Sequence, residues 1–134
     1  MTQIWERLFL GSLTEAEELA DDNPDRITTV VSLSEVAVRT RREDVKYVHL
    51  PIEDDQPVPI HQFYIIMDAI RKNIRWGTVL LHCGVGVSRA PSLAAAYMAA
   101  VGYKGIDAAL KEIRQVRPFI HPSTVLVESL KEHL

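Results

Sequence analysis

The residues best able to do chemistry stand together in His82-Cys83-Gly84-Val85-Gly86-Val87-Ser88-Arg89. Cys83 is the only cysteine of the chain. Its thiolate would be a strong nucleophile, and Arg89 offers a planar fork of N–H donors that matches two oxygens of a phosphate. Gly84 and Gly86 let the intervening backbone turn its amides inward as an anion-binding nest. The apolar run Thr78-Val79-Leu80-Leu81 before this segment and the alanine-rich run after it predict a strand, a glycine-punctuated loop and the start of a helix. The helix adds its positive end at the same place. Such a loop holds a phosphate over a thiol and favours the ionised form of that thiol. A buried cysteine at a strand end with an unrelated surface arginine would explain neither the glycines nor the order of the elements.

Attack on a phosphate ester also needs a proton for the departing oxygen. Asp54 and Asp55 lie after an apolar run that ends near Leu50, among Pro51, Pro57 and Pro59, which stiffen the backbone. A carboxylic acid beside the leaving group can protonate it and then, as carboxylate, accept a proton from attacking water. Adjacent residues of an extended loop point in different directions, so one of the two aspartates faces the site. Residue type alone leaves open which.

The elements that must position these groups follow from periodicity. Thr14-Glu15-Ala16-Glu17 reads as a capping box opening a short helix that presents Ala16, Leu19 and Ala20, with Asn23-Pro24 closing it. Ile27 to Leu33 and Lys46 to Leu50 are rich in β-branched residues and read as buried strands, with a short helix and a basic loop expected between them over Ser34 to Asp44. Ile60, Phe63, Met67, Ile70 and Ile74 recur at helical spacing after Pro59, and Trp76-Gly77 ends that helix. A buried helix runs from Ser88 or Arg89 to Val101, with Pro91 in its first turn and Gly102 closing it. Ile106, Ala109, Leu110 and Ile113 mark another helix, and Pro122 to Leu134 a last one. Strands alternating with helices imply a single-domain α/β sandwich over residues 1–134, its reactive loop at the carboxyl end of a central strand.

Composition sets limits on function. The chain has 134 residues, 47% hydrophobic and 25% charged, with net charge −3. That balance suits one globular enzyme domain and gives no electrostatic reason to expect nucleic acid as partner. The longest apolar-rich stretch, Leu93 to Val101, is too short to span a bilayer, and neither a signal peptide nor a lipidation motif is apparent, so no membrane partner is expected. A lone cysteine leaves no internal disulfide, which fits a reducing compartment; a cytoplasmic monomer is expected. The histidines are scattered, so neither a metal nor a cofactor is expected. His49, His61, His121 and His133 read as structural or surface residues. Arg39, Arg41 and Arg42 read as a solvated charged face rather than a partner site, and Trp5 and Trp76 as packing residues.

His82-Cys83 followed by Arg89 resembles the signature loop of the protein tyrosine phosphatase superfamily, and the rest of the chain is similar to its small dual-specificity branch. Leu8-Phe9-Leu10-Gly11, Thr29-Val30-Val31-Ser32-Leu33, Tyr47 to Asp54 and Arg117-Pro118 with Pro122 resemble successive elements of that branch in the correct order. The resemblance implies a central mixed sheet of about five strands. It also implies a cysteinyl-phosphate mechanism with Cys83 as nucleophile and Arg89 with the amides of Gly84, Val85, Gly86, Val87 and Ser88 as the phosphate cradle. His82 would brace the loop. The family's acid follows the strand-end proline by three positions, which selects Asp54 over Asp55. Substrates would be phosphotyrosine and also phosphoserine or phosphothreonine, on a phosphorylated protein or a small phosphate ester, with RNA 5′-phosphates an alternative. The uncharged Gly84, Val85 and Val87 disfavour polyanionic lipid headgroups. Two departures stand out. Most relatives carry a hydroxyl residue after the arginine to assist departure of the thiolate, and this chain has Ala90, as some slow relatives do. Ser123 also stands where many relatives have asparagine. A weakly active phosphate-binding module or scaffold is therefore the rival reading.

Overall fold

The β-branched runs form a five-stranded mixed sheet with helices on both faces, in a computed structural model that describes Met1 to Leu134. The strands are β1 (Thr2–Trp5), β2 (Leu8–Gly11), β3 (Ile27–Ser32), β4 (Lys46–His49) and β5 (Thr78–His82), in the order β1-β2-β5-β3-β4. β1 pairs antiparallel with β2, whereas β2, β5, β3 and β4 run parallel. Their carboxyl ends therefore share one edge. The register sets His82 between Gly11 on one side and Ser32 on the other, so the segments leaving β2, β3 and β5 begin side by side. This is the expected α/β sandwich.

Strand alternation assigns the two faces. Val79 and Leu81 of β5 join the larger core with Phe63, Ile66 and Ile70 of α2 (Ile60–Ile74) and Leu93 of α3 (Arg89–Ala100). Leu80 points the other way, onto Ala16 and Leu19 in and just after a short helix at Leu13–Glu18, here called α1. Burial of each leucine-sized side chain contributes about 1.5–3 kcal/mol, which secures the central strand carrying Cys83. Every residue of α3 from Ala90 to Met98 is buried, and its alanines allow close approach to the sheet and to α4 (Ile106–Val116). Gly102 follows α3 at φ 81°, a left-handed turn that glycine adopts without strain. The last helix, α5, spans Thr124–His133.

The structure corrects several sequence expectations. The capping box is formed by Ser12 and Glu15, not by Thr14 and Glu17: Ser12 Oγ accepts from Glu15 N at 3.2 Å and Glu15 Oε1 accepts from Ser12 N at 3.0 Å. Glu17 is thereby free to accept from the amides of Arg39 at 3.0 Å and Thr40 at 2.6 Å. Those amides are then not donated to carbonyls one turn back, and Ser34 to Asp44 forms no helix. Of the three arginines expected on a solvated face, Arg39 and Arg41 are exposed and Arg42 is half-buried. Arg41 lies over the Tyr47 ring at 5.0 Å, and Arg42 donates to Leu19 O and pairs with Asp44. β4 is a half-exposed edge strand, not a buried one. Trp5 packs against Tyr97 and Tyr103, but Trp76 is 84% exposed and packs against little. β1 was not anticipated, and no helix is long and apolar enough to cross a membrane.

Candidate active site

Beyond β5 the backbone of residues 83–88 is held from outside through its carbonyls. Gly84 O accepts from Leu13 N at 3.0 Å, Gly86 O from Arg117 Nε at 3.0 Å, and Val87 O from His121 N at 2.6 Å. No N–H from Gly84 to Ser88 donates to any acceptor of the protein. With the carbonyls turned out and claimed, this run of amides remains available to an anion. Cys83 lies at its base, 2% exposed, and its Sγ accepts from Ala90 N at 3.4 Å. Gly86 sits at φ 80°, and a Cβ there would come within 2.6 Å of Arg117 Nη2 and 2.7 Å of Gly11 O. Only glycine fits the turn.

Arg117 was met in the sequence only as the start of an Arg-Pro pair, yet its buried guanidinium is a main support of the loop. Besides Gly86 O it reaches Thr2 Oγ1 at 2.7 Å and Glu15 Oε1 at 3.5 Å. Burial draws its pKa below the ordinary arginine value, while proximity to Cys83 acts in the opposite sense. His82 is wholly buried. Its Nδ1 lies 3.2 Å from Cys83 O and its Nε2 2.6 Å from Ser32 Oγ. A carbonyl can only accept, so Nδ1 carries the hydrogen and Nε2 accepts from the Ser32 hydroxyl. Burial keeps this imidazole below the usual histidine pKa, partly offset by the bond to the Cys83 carbonyl, so the neutral ring fits both partners.

Arg89 is 12% exposed and folds back over the loop, its Nη2 the nearest atom to a Cβ built on Gly84. Its Nη1 donates to Glu35 Oε1 at 2.8 Å and Ile52 O at 3.2 Å. Glu35 falls in the segment expected to be helical. Nothing in its spacing marks it, because the contact depends on β3 and α3 meeting in space.

Asp54 and Asp55 are both brought to the rim of the loop, on different partners. Asp54 Oδ1 accepts from Ser88 Oγ at 2.7 Å, and Asp55 Oδ1 accepts from Ser123 Oγ at 2.8 Å. Asp55 takes a left-handed backbone, φ 58°, which turns the two carboxylates apart. Ser123 also caps α5, its Oγ accepting from Leu126 N, and its bond to Asp55 braces the acidic loop. Ser88 makes no side-chain cap to α3. The arrangement offers a buried sulfur, a run of unclaimed amides, a guanidinium and a carboxylate on one rim. These groups suit a tetrahedral dianion and in-line displacement at phosphorus. His49 and His133 each bond to a backbone carbonyl, that of Ser34 and of Val58, and His61 and His121 are at the surface. No three His, Cys, Asp or Glu side chains gather to hold a metal ion.

Comparison with known proteins bears on the family and the fold. Residues 8–134 match the family model described as dual specificity phosphatase, catalytic domain. The chain is 30% identical over 132 residues to the mouse dual specificity protein phosphatase 18, covering 97% of this chain and 70% of that relative. The crystal structure of DUSP15 superposes with TM-score 0.87 at 28% identity over 98% of this chain and 85% of that one. The human DUSP28 structure also reaches TM-score 0.87, at 20% identity over 99% of this chain and 94% of that one, a likeness of fold.

Proposed function

Because the chain belongs to the dual specificity phosphatase family, in its small branch, we propose that it hydrolyses phosphate monoesters through a cysteinyl-phosphate on Cys83. The sulfur attacks phosphorus in line, the bond from phosphorus to the leaving oxygen breaks, and Asp54 gives that oxygen its proton. Water then attacks phosphorus, Asp54 takes a proton from it, and the phosphorus–sulfur bond breaks to return the thiolate and release inorganic phosphate. Arg89 and the amides of Gly84, Val85, Gly86, Val87 and Ser88 hold the equatorial oxygens in both steps. His82 braces the loop from below. The observation that carries this reading is the run of unclaimed amides beside a buried sulfur.

The substrates we assign are phosphotyrosine together with phosphoserine or phosphothreonine. The loop presents no charged side chain before Arg89, and Val85, 69% exposed, gives its lip an apolar surface suited to a phosphorylated side chain on a protein. Hydrolysis of para-nitrophenyl phosphate by the wild type, Cys83→Ser and Asp54→Ala tests the scheme. Activity is expected in the wild type, none in Cys83→Ser and a deep loss in Asp54→Ala. Activity that survives Cys83→Ser would overturn it.

One observation favours slow turnover. Ala90 offers Cys83 Sγ a backbone N–H at 3.4 Å but no hydroxyl to assist the departing thiolate. Breakdown of the cysteinyl-phosphate then limits the rate, and a burst of phenol release precedes a small steady rate. A linear time course from the first turnover contradicts this, and phosphopeptide binding without any turnover would favour the scaffold reading.

A further inference from the structure

Ser88 has one hydroxyl proton and two neighbours. Its Oγ lies 3.0 Å from Ser123 N and 2.7 Å from Asp54 Oδ1. A backbone amide only donates, so the direction of the chain is fixed: Ser123 N–H to Ser88 Oγ, and Ser88 O–H to Asp54 Oδ1. Asp54 Oδ2 has no partner in the protein. The backbone on the C-terminal side of Asp54 is fastened to α5 and its cap. Asp55 Oδ1 takes the Ser123 hydroxyl, Val58 N donates to Ser129 Oγ at 2.8 Å, and Val58 O accepts from His133 Nε2 at 2.6 Å. None of these contacts touches the Asp54 carboxylate. That side chain is exposed, and Ser88 alone orients it.

We propose that Ser88 is the positioning residue for the acid, holding Asp54 Oδ1 so that Oδ2 carries the proton to and from the reacting oxygen. The proposal rests on Asp54 being the general acid. Oδ1 accepts the Ser88 hydrogen bond equally as a carboxylate oxygen and as the carbonyl oxygen of the protonated acid, so the bond persists while the proton on Oδ2 comes and goes. Ser88 also sits next to Arg89, so one short stretch of loop sets both the phosphate clamp and the acid.

A positioning role shows itself in leaving-group dependence. Phenyl phosphate has a basic leaving group that needs the acid, whereas dinitrophenyl phosphate departs with little help. Ser88→Ala is expected to lower kcat/KM for phenyl phosphate about tenfold and for dinitrophenyl phosphate less than about twofold. Ser88→Gly, measured in parallel, shows the same contrast should the alanine variant fold poorly. Ser88→Thr, which keeps the hydroxyl, restores most of the loss, and Ser88→Ala adds nothing for phenyl phosphate in an Asp54→Ala background. Equal losses on both substrates, or a threonine variant no better than alanine, overturn the proposal while leaving Asp54 as the acid. An Asp54→Ala enzyme that does not discriminate between the two substrates overturns both.

Discussion

At the scale of single residues, the site separates groups that look interchangeable in the sequence. Arg89 is gripped by Glu35 and by the Ile52 carbonyl through one nitrogen, leaving the rest of its fork unclaimed. Lysine at this position would keep the charge but lose the fork, so Arg89→Lys is expected to lower kcat/KM for an aryl phosphate about a hundredfold, and near-normal activity would refute the clamp. The two adjacent aspartates differ in the same way. Asp54→Asn is expected to cost about a hundredfold or more in kcat on phenyl phosphate. Asp55→Asn, which keeps an acceptor for Ser123 and tolerates the left-handed backbone, should change it by less than about threefold. A reversed order in the assay would move the acid to Asp55. Cys83, Arg89 and the aspartate pair were legible as chemistry from residue type and order alone. Glu35, Arg117 and the Ser88–Asp54 contact were not, because each joins segments distant in sequence with no periodic or local signal.

At the scale of elements, the loop after β5 is built by its neighbours. Carbonyls turned outward to α1, to Arg117 and to the segment before α5 leave the amides free, so the shape of the loop depends on donors that lie outside it. Gly86→Ala would drive a methyl into Arg117 and Gly11 O at a left-handed position. A loss of about 2 kcal/mol or more of stability is expected, with loss of phosphate binding, as read from unfolding curves and from phosphate protection. An unchanged midpoint would mean that the turn tolerates a side chain. Helices α2 and α4 are readable because a buried stripe repeats every third or fourth residue, α3 because an alanine-rich run lies between Pro91 and Gly102, and β3 and β5 because β-branched or leucine runs end at turn residues. The stretch from Ser34 to Asp44 misled for an identifiable reason. Its composition allows a helix, but Glu17, released when Ser12 took the cap, claims two of the amides a helix would need. Ser12 and Glu15 carry the same serine-to-glutamate spacing as the pair from Thr14, and only the position of the strand end decides between them.

At the scale of the molecule, burial of the loop's support ties stability to pH. His82 is held below its ordinary pKa by burial, so below about pH 6.5 the unfolded chain binds a proton that the folded chain refuses. Stability is therefore complete above that pH and falls as the pH drops toward the folded value. Glu17 is held low chiefly by the Arg39 amide. Its contribution is complete above the ordinary glutamate pKa and is lost as pH falls through the lower folded one. Thermal unfolding midpoints are expected to decline first as the pH falls below about 6.5, with a flatter decline there in His82→Gln, and again as it falls below the ordinary glutamate range, flatter there in Glu17→Gln. Identical slopes in wild type and His82→Gln would show that burial does not hold the imidazole below its ordinary pKa.

The most direct test of the central claim is rapid acid quenching during turnover of a radiolabelled aryl phosphate, followed by peptide mapping. Label is expected on the peptide containing Cys83, approaching one per chain because Ala90 slows its release, and absent from Cys83→Ser. Steady phosphate release with no label on that peptide would contradict the account.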